Sequence, residues 1–442
     1  MVCLEKHGRD VNIQIYNEVE PLRDVLVHRP GDEIARMSPD DFTSRLFDDL
    51  LSPMETASEH DVMTDLITDS GATVHRLDAL LRTALAQATK TAINDFTHKI
   101  SHLAGAPELQ PMLTDWDPDT LASSLVTGLS WQEFTDIPPS LARLRAAQFN
   151  TMSMALPPIS NLMFMRDPCV SVFDRCVASR MHYHARAAEP LVVQFALRWG
   201  AGVAPCQLDE SSDCLLQAYE SIEGGDILVL SESVVMVGAS QRTAPQAIER
   251  FSDRLFSQHA GLKRVYAVLM PNNRSTMHLD TILTQVDHGL FLAYRPMISG
   301  QDEHSPLQVV TLQPNRPPEV VHNKSVHDVL IDEMGSQTRL ISCGGEEPLF
   351  QKREQWTDGA NALCLRPGHI LLYARNVRTI QTLRDEGFHQ VRLSPVQTRQ
   401  ERRDLVEEGL RQPRAVYALT GSELSRGRGG GRCLTMPLVR DR

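Results

Sequence analysis

The sequence predicts an α/β protein assembled from a repeated hairpin, helix and strand, interrupted early by a helical insertion. Three observations carry that prediction. Helix-like segments that stop near a glycine and run into β-rich sequence recur about five times. Pairs of β-rich runs joined by a polar turn alternate with them. One stretch, from about Asp78 to Ile137, breaks the rhythm with helical periodicity and no strand-like run.

Taken in order, LRDVLVHRPGDEI (22–34) reads as the opening part of a hairpin. EHDVMTDLITDSGATVHRL (59–77) is the first helix and strand, with Val62, Leu66 and Ile67 on one helical face and Gly71 at the stop. The insertion LLRTALAQATKTAINDFTHKISHLAG follows, and the proline pairs Pro138-Pro139 and Pro157-Pro158 mark the return to the main body. NLMFMRDPCVSVF (161–173), DILVLSESVVMVGAS (226–240), TILTQVDHGLFLAY (281–294) and NALCLRPGHILLYAR (361–375) each read as a hairpin. The helix and strand segments 190–208, 246–270, 325–342 and 379–394 alternate with them. The chain therefore divides into 1–77, an insertion 78–150, and 151–442 carrying most of the chemistry. The pattern alone is also compatible with an ordinary α/β sheet bearing several hairpins.

At 442 residues the expectation is two or three domains or one large repeating architecture. Forty-four Lys and Arg against 56 Asp and Glu leave a net charge of −12, the wrong sign for a general nucleic-acid or anionic-membrane binder. No apolar segment follows the first basic residues as a secretory signal would require, and the longest apolar run, 227–238, is too short to span a bilayer. The eight cysteines have no paired short spacing, so they read as reduced thiols in a cytoplasmic protein.

Four clusters could do chemistry: Arg166-Asp167-Pro168 inside the first full hairpin, Glu223-Gly224-Gly225-Asp226, Met277-His278-Leu279-Asp280-Thr281, and Gly427 to Cys433. The last three directly precede a predicted strand, so closing the repeats around an axis would bring them to one place. Each alone has a plainer reading. Asp before Pro forms turns, Gly-Gly-Asp makes tight turns, and a lone His beside Asp is commonly structural. The glycine-rich run lacks the spacing of a phosphate-binding loop. Basic residues around Cys433 would lower its pKa and favour the thiolate. Together, carboxylates, a His and a Cys suit nucleophilic attack on a guanidinium, whose rigid fork of donors paired carboxylates can grip. That chemistry needs no cofactor, and no metal spacing or dinucleotide fingerprint is present.

At these residues the sequence resembles the arginine deiminases of the guanidine-modifying (pentein) superfamily. PLRDVLVHRPGDE, FDD, IEGGDILVL with the following SQRT, MHLDT with its downstream VD, REQWTDGANAL and SELSRGRGGGRCLTMPL carry the resemblance over nearly the whole chain. It implies a five-bladed ββαβ pseudo-symmetric propeller with an inserted helical domain, hydrolysis of L-arginine to L-citrulline and ammonia, and a cytoplasmic dimer or tetramer. Residue by residue, it implies Cys433 as nucleophile, His278 as general acid and base with Glu223 beside it, and Asp167 and Asp280 on the guanidinium nitrogens. Asn161, Arg186, Arg242 and Arg428 match positions that recognise the α-carboxylate and α-amino end or order its loops, and Phe164 matches one that packs on the substrate. The sequence departs from the pattern at Ser160, where Pro is usual, and at Met163 and Met165, where Tyr and Thr are expected. Arg432 stands at a variable position. Other guanidine chemistry (agmatine or methylarginine hydrolysis, or amidino transfer) and arginine binding without turnover are the alternative readings.

Overall fold

A computed structural model describes residues 11–134, 154–205, 220–300 and 306–442, with Leu141, Leu144 and Gln148 besides. The recurrent unit is an antiparallel hairpin whose second strand pairs in parallel with the strand that follows a helix. Ile227–Ser231 and Val234–Ala239 are joined in this way by Arg264–Leu269, after helix Pro245–Gln258. Leu283–Asp287 and Leu290–Ala293 are joined by Arg339–Ser342, after helix Val326–Met334. Adjacent parallel strands cannot be linked by a tight turn, which is why a helix lies between them each time.

Three expectations about this unit change. The opening strand, Leu22–Val27, finds its antiparallel partner in the last strand, Met436–Arg440, and its parallel partner in Thr73–Arg76. Residues 32–35 form a short helix, so the first hairpin is closed by the end of the chain. In the sheet beginning Leu363–Arg366 and His369–Tyr373, the parallel neighbour is Ala415–Leu419; His389–Leu393 is the edge strand beyond it. The hairpin expected over 161–173 begins later. Ser160–Met163 is a 3-10 turn, and the strands are Cys169–Val172 and Arg175–Ala178, leaving Asp167 before the hairpin rather than inside it.

The insertion folds as helices Leu77–Gln87, Lys90–Leu103, Gln110–Asp115 and Pro118–Thr127. It also holds a strand that periodicity did not reveal, Leu129–Ser130, paired with Met154–Leu156. Pro138 and Pro139 lie outside the described residues, as do residues 206–208 of the strand expected at the end of 190–208, whose described part, 203–205, forms no strand. Leu81, Phe96, Ile100 and Leu121 share one core with Val192 and Phe195 of helix Ala188–Gly200, where Phe96 and Phe195 stack with centroids 4.2 Å apart. Glycine ends the predicted helices in the left-handed region at Gly71 and Gly335 (φ 98° and 101°), whereas Gly261 takes no such conformation. No helix among the described residues is long and apolar enough to cross a membrane.

Candidate active site

Five buried side chains, each standing just before an edge strand of a different sheet, meet at one cavity or directly behind it. Asp167 precedes Cys169–Val172, Glu223 precedes Ile227–Ser231, His278 precedes Leu283–Asp287, Asn361 precedes Leu363–Arg366 and Cys433 precedes Met436–Arg440. The cavity spans about 360 Å³, part of it open to solvent. Cys433, His278, Asp167, Asn161, Phe164, Arg186, Arg242, Arg428 and Met277 line it, together with Leu46 and Arg274, to which nothing in the sequence pointed. Glu223 and Asp280 stand behind that lining.

His278 is held from behind. Its Nε2 lies 2.9 Å from Glu223 Oε2, and Glu223 Oε1 accepts the His182 N–H at 3.0 Å. Asp226 fixes the turn that carries His278, accepting the Leu279 N–H at 2.8 Å and the Ser240 hydroxyl at 2.6 Å. Gly225 is required by close approach, since a Cβ there would lie 2.7 Å from His278 Nδ1. Burial pulls the His278 pKa down, but Asp167, the Glu223 hydrogen bond and Asp226 outweigh it and raise it to about 9. The ring is therefore cationic at neutral pH, with Nδ1 3.9 Å from Asp167 Oδ1. Burial would raise the Glu223 pKa, yet Arg242 and His278 hold it well below the usual carboxylate range.

The two aspartates are each tied by one oxygen only. Asp167 Oδ2 accepts from Arg186 Nη1 at 2.7 Å, and Asp280 Oδ2 accepts from Arg432 Nη1 at 2.9 Å. The remaining oxygens, Asp167 Oδ1 and Asp280 Oδ1, are buried and accept no hydrogen bond among the described residues. A buried carboxylate oxygen left in that state is costly, and a cationic donor between the two aspartates would satisfy both.

Cys433 sits beside this pair, with Sγ 3.7 Å from Asp280 Oδ2. The expectation that basic neighbours lower its pKa is overturned. Burial raises it well above the ordinary thiol value, and Asp280, Asp167 and Asp358 add to the effect. Arg432 lowers it only in part, because that guanidinium is already engaged by Glu18 and Asp280. The three glycines before Arg432 and Cys433 are explained by packing rather than by anion binding. A Cβ on Gly429 would lie 2.3 Å from the Phe164 ring and one on Gly430 2.5 Å from the Asn361 carbonyl. Gly431 has less tension, at 3.0 Å from Leu371.

The candidate arginines divide by what already occupies them. Arg186 spends its donors on Glu189 (2.9 and 2.7 Å) and Asp167, so it orders Asp167 instead of offering a free fork to a carboxylate. Arg242 donates to Glu223 at 3.4 Å and lies 4.7 Å over the Tyr183 ring. Arg428 is buried with none of its three side-chain nitrogens hydrogen-bonded among the described residues, and is held against the Trp356 ring at 3.5 Å. Asn161 donates to the Arg45 carbonyl at 2.7 Å, and Phe164 lies 5.9 Å beneath the Arg186 guanidinium. Of the departures, Met163 and Met165 are fully buried core residues and Ser160 donates to the Glu33 carbonyl at 3.1 Å. Arg432, set aside in the sequence as variable, is a buried anchor of Asp280.

Asp167, Glu223 and His278 place three ligand-type atoms within 4.8 Å of one another. Arg186 and Arg242 face the same carboxylates, and a protonated imidazole cannot ligate, so this cluster suits a cationic organic group better than a metal ion.

The chain matches a solved amidinotransferase of the saxitoxin biosynthetic pathway from Microseira wollei with a TM-score of 0.51 and 13% identity, covering 98% of each chain. That likeness gives the fold, which is that of the guanidine-modifying (pentein) superfamily. The family model for arginine deiminase matches residues 44–440. Arginine deiminases from Latilactobacillus sakei subsp. sakei and Listeria monocytogenes serotype 4b are each 31% identical, over 437 and 433 residues, covering 97% of this chain and 98% of theirs. The chain belongs to the arginine deiminase family.

Proposed function

We propose that the protein hydrolyses free L-arginine to L-citrulline and ammonia through a covalent adduct on Cys433. The observation that carries the mechanism is that Asp167 and Asp280 each keep one buried oxygen without a hydrogen bond, while the other oxygen of Asp280 lies 3.7 Å from the Cys433 sulfur. A guanidinium between them satisfies both and brings positive charge to the thiol, which offsets the carboxylates that otherwise hold its pKa up. Arg428, unpaired and facing the cavity, is the fitting partner for the α-carboxylate at the other end. Agmatine lacks that carboxylate and would leave Arg428 unsatisfied.

The Cys433 thiolate attacks the guanidinium carbon and forms a C–S bond. Cationic His278 protonates one amino group, the C–N bond breaks, and ammonia departs, leaving an S-alkylthiouronium cation. His278, now neutral, takes a proton from water, whose oxygen adds to the same carbon. Collapse breaks the C–S bond, regenerates the thiolate and releases citrulline, while the surplus hydroxyl proton passes to the departed ammonia. Glu223 keeps His278 oriented and cationic for the first transfer.

The test is purified protein assayed against arginine, agmatine and methylated arginines, with turnover quenched in acid for mass spectrometry. Arginine should be preferred, with an amidino adduct on Cys433, and Cys433→Ser should lose turnover by several orders of magnitude while retaining arginine binding. Preference for agmatine or a methylated substrate would overturn the substrate assignment, and near-normal Cys433→Ser activity the mechanism. We also propose a cytoplasmic homo-oligomer, a dimer or tetramer as the family resemblance implies, which light scattering of the eluted protein and cell fractionation check.

A further inference from the structure

Asn361 is fully buried directly behind the nucleophile, and all four of its amide hydrogen-bonding positions are used. Its Oδ1 accepts the backbone N–H groups of Arg432 and Cys433, both at 3.1 Å. Its Nδ2 donates to the Asp280 carbonyl and to Cys433 Sγ, again at 3.1 Å each. These partners fix the orientation of the amide. Two N–H donors converge on one atom, which must be the oxygen, so the NH2 group necessarily faces the sulfur. Gly430 provides the clearance, since a Cβ there would lie 2.7 Å from Asn361 Oδ1.

We propose that Asn361 is a catalytic residue of this site, whose side-chain amide donates to the Cys433 sulfur and stabilises and aims the thiolate. The proposal rests on the reading of Cys433 as nucleophile. As a thiol, Cys433 donates towards Asp280 and accepts from Asn361. On losing its proton it keeps only the second contact, which becomes charge-assisted and stronger. Asp280 and Asp167 then repel the anion until the guanidinium arrives. Among the described residues no other side chain donates a hydrogen bond to that sulfur. The same amide ties the nucleophile's backbone to the Asp280 backbone, so sulfur and guanidinium-binding carboxylate share one mount.

Two variants separate the anion-stabilising role from a structural one. Asn361→Asp retains an acceptor for both backbone N–H groups but loses the donor to sulfur, whereas Asn361→Ala loses both without adding charge. The rate of Cys433 alkylation by iodoacetamide, followed across pH by peptide mass spectrometry, reads thiol ionisation directly. In both variants the midpoint should move up by about one pH unit or more, and kcat should fall about 10- to 100-fold with KM nearly unchanged. If Asn361→Asp restored the wild-type midpoint and kcat, the amide would be a backbone brace only and the proposal would fail. Should either variant not fold, wild-type protein labelled with 15N at asparagine decides: the Asn361 side-chain amide resonances should shift with the Cys433 ionisation midpoint, and their indifference would overturn the proposal. An active Cys433→Ser would instead sink the nucleophile assignment, so the two failures are distinguishable.

Discussion

The two aspartates of the cavity are mounted alike and charged differently. On one side Arg186 joins Asp167 to Glu189; on the other Arg432 joins Asp280 to Glu18. Each arm is a buried carboxylate, guanidinium, carboxylate triad that leaves one aspartate oxygen free. The Arg186 arm is built within a short stretch of chain, Glu189 lying three residues on, and it stands in a field of further carboxylates. Burial first, then Asp167 and Glu223 beyond the opposing Arg186, raise the Glu189 pKa to about 7. The Arg432 arm is assembled from residues at opposite ends of the chain, and Glu18 sits among cations. Burial would raise its pKa, yet Arg432, Arg166 and Arg440 bring it to about 2. The same hydrogen-bonding device is therefore a firm ion pair on one side and a protonatable one on the other, because the second neighbours differ.

The largest expected effect follows from that asymmetry. Arg432→Met leaves Glu18 and Asp280 buried without their cation and should destabilise the fold by about 3–5 kcal/mol in urea unfolding. Arg186→Met should cost less, because Glu189 can take up a proton near neutral pH. Equal losses would break the comparison.

Next comes the pH dependence of stability, where the arms should oppose each other. Glu18, with its folded pKa below the unfolded value, contributes stability that is present above about pH 4.5 and lost as pH falls towards 2. Glu189, with its folded pKa raised, contributes stability that is present below about 4.5 and lost as pH rises through about 7. Each term amounts to roughly 3 kcal/mol across its window. Thermal melts of Glu18→Gln and Glu189→Gln across pH should flatten opposite limbs of the profile, and flattening of the same limb would refute the assignment.

A smaller effect sharpens the Asp167 side. His278 contributes stability below its raised pKa, as it would the first proton transfer proposed for it, and both are lost as pH rises through about 9. Glu223→Gln removes its strongest hydrogen-bonding partner, so the alkaline limb of kcat should move down by about one pH unit or more. An unmoved limb would assign it to another group. The smallest effect is expected at Arg23 and Asp441, a pair of the same chemistry that is 50% and 41% exposed. Asp441→Asn should cost less than about 1 kcal/mol, and less again at high salt. A loss matching Arg432→Met would mean that burial is not what distinguishes these pairs.

Local pattern in the sequence was sufficient to place Cys433, His278, Glu223 and Asp280 near strand starts and to find the hairpins over 227–239, 283–293 and 363–373. Those are properties of neighbouring residues, since side-chain alternation, turn chemistry and helix stops act over a few positions. Asn361 carried the same signal, standing before the strand LCLR within REQWTDGANAL, but an uncharged amide gives no chemical cue until its partner is known. The exchange of Ala415–Leu419 for His389–Leu393 beside His369–Tyr373 escaped notice because both runs satisfy a strand pattern and only packing chooses between them.

By itself, then, the sequence determined the repeat, the insertion and which side chains are the candidates for the chemistry. Tertiary structure alone decided their electrostatics. Arg432 reads as a cation beside Cys433 that should lower its pKa, yet Glu18, 414 residues away in the chain, and Asp280 take up that charge, while burial and three carboxylates push the thiol up. A charge's effect depends on what else is buried within a few ångströms of it and on how much water is excluded. Both are set by chain closure, in which Leu22–Val27 pairs with Met436–Arg440, and not by the order of residues along the chain.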